Sequence, residues 1–198
     1  MNAILNLQAL LNKTRQIDFL GPLALRLYLF PVFLKAGLNK FNGFENTARW
    51  LGNPDWGLGL PLPKLMAFLV TSTELAGAVM LLFGFGVRWI SIPLMFTMLI
   101  ATFSVHWQHG WQAVADPKMC LFNCDDAVAA IERLDKAKEI LKAHGNYAWL
   151  KEQGNFIISN NGIEWAVTYF IMLLVLFFIG GGKYASIDYW MNRSLMDK

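Results

Sequence analysis

Residues Leu65–Phe85 read LMAFLVTSTELAGAVMLLFGF. About 20 apolar residues cross the ~30 Å hydrocarbon core of a bilayer, and this stretch meets that requirement. Its centre nevertheless holds a carboxylate, Glu74. An ionised group at that depth costs at least ~3 kcal/mol even on insertion-based scales, so it is expected to face protein and to have a partner. At 3.6 residues per turn Glu74 shares its face with Val70, Thr71, Gly77, Ala78 and Leu81. Gly77 and Ala78 are small enough to let a second helix approach closely.

The rest of the chain supplies that second helix. Of 198 residues, 56% are hydrophobic and 16% charged, and the mean hydropathy is +0.38. This is too apolar for an ordinary soluble domain. Phe19–Leu38, Val87–Trp107 and Ile163–Gly180 are further blocks of spanning length. The reading is an all-α, antiparallel bundle of four transmembrane helices. An interfacial helix precedes it, and a helical extramembrane insertion separates helices three and four. Residues 1–18 form the interfacial segment, with Ile4, Leu7, Leu10, Leu11 and Ile17 at helical spacing. They lack the continuous apolar core of a cleavable leader. Residues 19–107 hold the first three spans, with an interfacial loop at 39–64 that turns at Asn53-Pro54. Residues 108–162 form an extracytoplasmic insertion or lid. Its helix, DDAVAAIERLDKAKEILKAHG, carries an apolar stripe of Val128, Ile131, Leu134 and Leu141 and stops at Gly145. Residues 163–198 form the fourth span and a cytoplasmic tail.

Lys13, Arg15, Arg88, Lys183, Arg193 and Lys198 fall on one side of the bundle; Lys40, Arg49 and Lys64 fall on the other. The bias predicts a multi-pass membrane protein with both termini cytoplasmic. It also accounts for the net charge of +3. No basic stripe, P-loop, G-x-G-x-x-G or C-x-x-C-H occurs, so no nucleic-acid, nucleotide, flavin or haem partner is expected.

Arg26, in LALRLYLF, is the expected partner of Glu74. Counted from the cytoplasmic ends, Arg26 lies ~10 Å deep and Glu74 ~16 Å, a gap that an arginine can span. The pair reads either as a structural bridge or as a site that handles protons or substrate. At the outer ends His106 and His109, Lys35 and Lys40, and Glu164 collect as a candidate quinone-contact cluster. Lys35 alternatively snorkels outward. His106 and His109 stand at i, i+3, and with Cys120 and Cys124 of MCLFNC they are candidate ligands for a soft metal such as Cu(I). The cysteines also read as a disulfide in an oxidising compartment or as a redox dithiol.

AGLNKF after helix one, ELAGAVMLLFG in helix two, GVR before helix three and GGGKYASIDYW after helix four together resemble the DoxX family of small bacterial membrane proteins. NPDWGLGLP, VRWISIPLM and AIERLDKAKEIL…HGNYAWL resemble its HvfX-type subgroup, which is linked to copper-binding ribosomal peptides and their modification enzymes. The resemblance implies that Arg26, Lys40, Glu74, Arg88, Lys183 and Asp188 hold the family's polar positions, with Arg88 and Asp188 close together at the cytoplasmic face. It implies an inner-membrane accessory protein of copper-peptide (RiPP) maturation or of a redox-stress pathway, with peptide-modifying or redox enzymes as partners. One branch of the family implies instead the membrane subunit of a quinone-linked, thiosulfate-type oxidoreductase. A small exporter of modified peptide is a third reading, although the chain lacks the repeat architecture of secondary transporters. Whether the chain is itself catalytic, and whether copper or quinone binds, stays open at this level.

Overall fold

A computed structural model describes residues 2–196, with side chains from Leu7 onward. Lys198 and the side chain of Ile4, both used above, fall outside this range. The described residues are helical, with a single antiparallel bridge between Val114 and Ser159 and no strand. They form two compact units. The first comprises residues 1–97 and 169–198, and the second residues 98–168.

In the first unit, α1 (Asn2–Lys13) leaves Leu7, Leu10 and Leu11 exposed. α2 (Leu20–Asn42) runs antiparallel to α4 (Pro63–Phe83). α2 buries Pro22, Arg26, Leu29, Phe33 and Gly37, and α4 buries Ala67, Thr71, Glu74, Gly77, Ala78 and Leu81. The three- and four-residue spacings keep each set on one face, so the two helices meet along a continuous seam. Small residues set the closeness of approach. A Cβ at Gly37 would stand 2.8 Å from the Leu75 side chain, and one at Gly77 would stand 2.8 Å from Leu94 of α5 (Val87–Ile100). α3 (Phe44–Gly52) packs Ala48 and Leu51 onto Ala67 of α4, with Trp50, Leu58 and Leu60 around them. The expected turn forms at Asn53, whose Oδ1 accepts from the Asp55 and Trp56 N–H groups at 2.8 and 3.1 Å.

Among the described residues three helices are long and apolar enough to cross a membrane: Leu20–Asn42, Pro63–Phe83 and Val87–His109, the last being α5 with its π and 3-10 continuation. The fourth block is shorter than expected. α8 (Glu164–Ile179) has 16 residues and rises ~24 Å before Gly180, at a φ of +73°, ends it. Its Leu173 and Leu176 are fully buried.

The Gly84 end of the first unit is a polar knot. Gly84 ends α4 with φ +67°, and Gly86, at φ +57°, precedes α5. α9 (Ile187–Met196) begins against this turn. Asp188 N–H and the Ser186 hydroxyl both donate to Gly84 O, at 3.0 and 3.1 Å. A Cβ on Gly84 would run into the Arg26 guanidinium and the Ser186 Cα, so both backbone angle and space require glycine here.

In the second unit, α5 widens into a π segment at Ala101–His106 and tightens into a 3-10 turn at Trp107–His109. Backbone bonds tie residues 110–115 to 158–164. Gly162 N–H donates to Gln112 O at 2.9 Å and Glu164 N–H to Trp111 O at 2.8 Å. α6 (Asp125–His144) stops at Gly145 and is followed by α7 (Tyr147–Leu150). The buried face of α6 is Ala127, Ala130 and Leu134, whereas Val128 of the expected stripe is exposed.

Gly84→Ala is expected to destabilise the protein by roughly 2–4 kcal/mol, from left-handed backbone strain plus displacement of Arg26. Gly21→Ala is the control, because no atom lies within 4 Å of its added methyl. Thermal melting in detergent should show a large drop in midpoint for the first variant and none for the second.

Candidate functional site

Glu74 and its partner define the candidate site. Glu74 is 3% exposed, in the middle of α4. Its partner is Lys40, not Arg26. The ammonium of Lys40 donates to Oε1 at 2.8 Å and to Oε2 at 2.7 Å. Arg26 is fully buried and donates instead to Leu81 O through Nη1 at 3.3 Å and to Ala185 O through Nη2 at 2.6 Å. The direction of side chains on a helix explains the correction. Each Cα–Cβ bond tilts toward its helix N-terminus. Arg26 on α2 therefore leans toward the Gly84 end, while Glu74 on antiparallel α4 leans the opposite way. Lys40, in the last turn of α2, leans back along the seam onto Glu74.

The two buried charges thus have different chemistry. Arg26 satisfies a helix-terminal carbonyl and a loop carbonyl, with the Asp188 charge close enough to act on it. This is a structural clamp between α2, the end of α4 and the segment before α9. The Lys40 side chain remains 32% exposed while that of Glu74 is 4% exposed, so the pair has an open end and a closed end. One turn before Glu74, the Thr71 hydroxyl is buried and has no hydrogen-bond partner. The arrangement can hold an ionised carboxylate in an apolar seam and can exchange Lys40 for a proton.

Arg88 and Asp188 form no ion pair. Asp188 accepts from the Gly86 N–H at 2.7 Å and the Val87 N–H at 3.0 Å, capping the start of α5, where the helix dipole favours an anion. Arg88 Nε donates to Phe177 O at 2.9 Å. Both side chains line one groove at this end.

The proposed outer cluster separates into different contacts. Lys35 is exposed, with no ion partner among the described residues, and Lys40 belongs to Glu74. His106 Nδ1–H donates to Asn161 O at 2.8 Å and His109 Nδ1–H to Asp126 Oδ2 at 2.7 Å. The two rings are thus spent on different partners, one before α8 and one on α6, instead of sharing a ligand. Glu164 Oε2 accepts from Ala113 N–H at 2.8 Å, bracing the start of α8. Cys120 and Cys124 are joined in a disulfide. Among the described residues no three His, Cys, Asp or Glu side chains gather as metal donors. With both thiols oxidised, the expected Cys–His donor set does not fit Cu(I).

Sequence reasoning missed Ala185 and Ser186 as partners of Arg26 and Gly84. It also missed the buried Asn160, whose Nδ2 donates to His109 O at 2.5 Å and Gln112 O at 3.2 Å. The signal for the first was the glycine-rich GGGKYASIDYW run itself, whose glycines admit close backbone approach.

The family model described as DoxX matches residues 21–107, which contain Arg26, Lys40, Glu74 and Arg88. A protein of Bacillus subtilis (strain 168) named "Putative oxidoreductase CatD" is 32% identical over 95 residues, covering 48% of this chain. The chain spans 64% of the length of that relative. No solved structure matches the chain.

Lys40→Met should destabilise the protein by roughly 1–3 kcal/mol, because it strands a buried carboxylate; the partial exposure of Lys40 keeps the figure below that of a fully buried pair. The double variant Lys40→Met/Glu74→Leu should recover most of that loss, and a thermal-melt double-mutant cycle would show it. Maleimide labelling of the denatured protein should find no thiol before reduction and both cysteines after it. Reduction should shift the melting midpoint little, because the closed loop is short.

Proposed function

We propose that this chain is the membrane-embedded, proton-handling component of a redox system, with Glu74 as the proton-exchanging group and Lys40 as its counter-ion. The observation that carries the reading is the half-open ion pair: a carboxylate 4% exposed, gripped through both oxygens by the ammonium of a lysine whose side chain is 32% exposed. Such intramembrane charges are costly to maintain and mark proton or substrate paths more often than simple glue. The match to the DoxX family model over both residues, and the oxidoreductase name of the Bacillus subtilis relative, support the redox setting. In the quinone-linked form of this reading, the donor's two electrons reduce the quinone to quinol, which takes up two protons. Glu74 accepts a proton as Lys40 withdraws toward its exposed side and passes it to the reduced quinone. The cation distribution supports cytoplasmic termini. The Cys120–Cys124 disulfide supports an oxidising compartment for the segment between α5 and α8.

A second reading is an accessory protein of copper-peptide maturation, favoured by the segments that resemble the HvfX-type subgroup, NPDWGLGLP among them. Here the chain would hold a peptide-modifying enzyme at the membrane, and the yield of modified peptide would fall in deletion cells. An altered distribution of that peptide across the membrane would mark an exporter instead.

Membranes carrying Glu74→Gln should lose at least about tenfold of quinone-dependent oxidation of a thiosulfate-type donor relative to wild type, the usual scale for removing a general acid–base group. Equal rates in the two preparations would reject the proton-handling role.

A further inference from the structure

We propose that the groove bounded by the start of α5, the Gly180–Lys183 loop and α9 binds the headgroup of an anionic phospholipid. The groove has a volume of about 1000 Å³ and lies wholly within the first unit. Phe19, Pro22, Trp89, Phe178 and Ile179 give it apolar walls, and Arg88, Lys183 and Arg193 give it cations.

Its two carboxylates are already partnered, Asp18 by Lys183 of the same groove, so Arg88 leads the recognition. Asp188 uses both oxygens on the Gly86 and Val87 N–H groups, and Asp18 meets Lys183 at 3.2 Å. Arg88 is oriented for a ligand. Its Nε is fixed on Phe177 O at 2.9 Å, and its guanidinium stands 5.7 Å over the Phe177 ring. The two terminal nitrogens have no hydrogen-bond partner among the described residues. A guanidinium held in this way presents a fork that suits two oxygens of a phosphodiester.

The surroundings fit a lipid and not a free anion. Trp89, Leu195 and Met196 are 79%, 69% and 80% exposed, and Arg193 stacks 5.8 Å from the Trp190 ring. Exposed tryptophan and apolar side chains beside cations, at the ends of membrane-spanning helices, belong at the headgroup level. A soluble phosphate would use the cations and leave the apolar walls in water. A second copy of this chain would bring the same cations against themselves.

The test is native mass spectrometry of full-length protein released from nanodiscs of equal phosphatidylglycerol and phosphatidylcholine. Wild type should retain phosphatidylglycerol over phosphatidylcholine by about fivefold or more, the scale of one cation near an anionic surface. Arg88→Gln should lose most of that preference. Lys64→Gln, at an exposed pair with Glu45, should keep it. Should Arg88→Gln fail to fold, Lys183→Gln decides by the same measurement, with loss of preference expected. The proposal is overturned by equal retention of the two lipids in wild type, by a wild-type preference in the variant that decides, by displacement of the lipid with millimolar inorganic phosphate, or by a dimer that excludes lipid.

Discussion

Every side chain on an α-helix leans toward that helix's N-terminus, and in the antiparallel α2–α4 seam this tilt sorts the buried charges. Arg26 is drawn to the Gly84 end, Glu74 is turned away from it, and Lys40 is folded inward to meet Glu74. The remaining polar architecture of the first unit follows. Once Arg26 occupies the space beside Gly84, that position admits no Cβ, and the chain before α9 supplies the second carbonyl that the guanidinium needs. The turn between α4 and α5 is then held by Asp188 and Ser186 from the segment that carries this carbonyl.

The consequence is a division of labour between two cations of the same helix. Arg26 is wholly dehydrated and bound to backbone oxygens, which do not titrate, so its role is to fix geometry. Lys40 is bound to a group that does titrate and keeps about a third of its side chain exposed. An arginine at the closed clamp and a lysine at the open pair match what each does well: a rigid fork of donors in one place, a mobile point charge in the other. The unpaired Thr71 hydroxyl beside Glu74 adds a polar atom to the seam at the level where chemistry is proposed.

How much of this could be read from the chain alone depended on which physical signal carried it. The apolar blocks and the glycine-bounded turn at Gly84–Gly86 mark α2, α4 and α5 because length and hydropathy are local properties. The inward face of Glu74 is legible for the same reason: Gly77, Ala78 and Leu81 repeat with the helical period. Its partner was not, because a count of depth along the axis treats residues as points and ignores the several ångströms by which side chains lean. By rise alone Arg26 looks within reach of Glu74, while Lys40 looks too far out. The histidines misled for a related reason. Their i, i+3 spacing reports only a shared direction, and nothing local in ATFSVHWQH announces that Asn161 and Asp126 take the two rings. Contacts such as Arg26 to Ala185 join residues 159 apart in sequence, and no periodicity reports on those.

The close approaches at Gly37 and Gly77 have a mechanical consequence. On one side of α4, Leu75 sits in the notch left by Gly37; on another, Leu94 of α5 sits in the notch at Gly77. α4 is therefore keyed on two flanks, and turning it about its own axis would drive a leucine out of its slot. The same leucines resist sliding of α4 along its axis, so the stretch from Glu74 to Gly84 is a locked key and not a moving part.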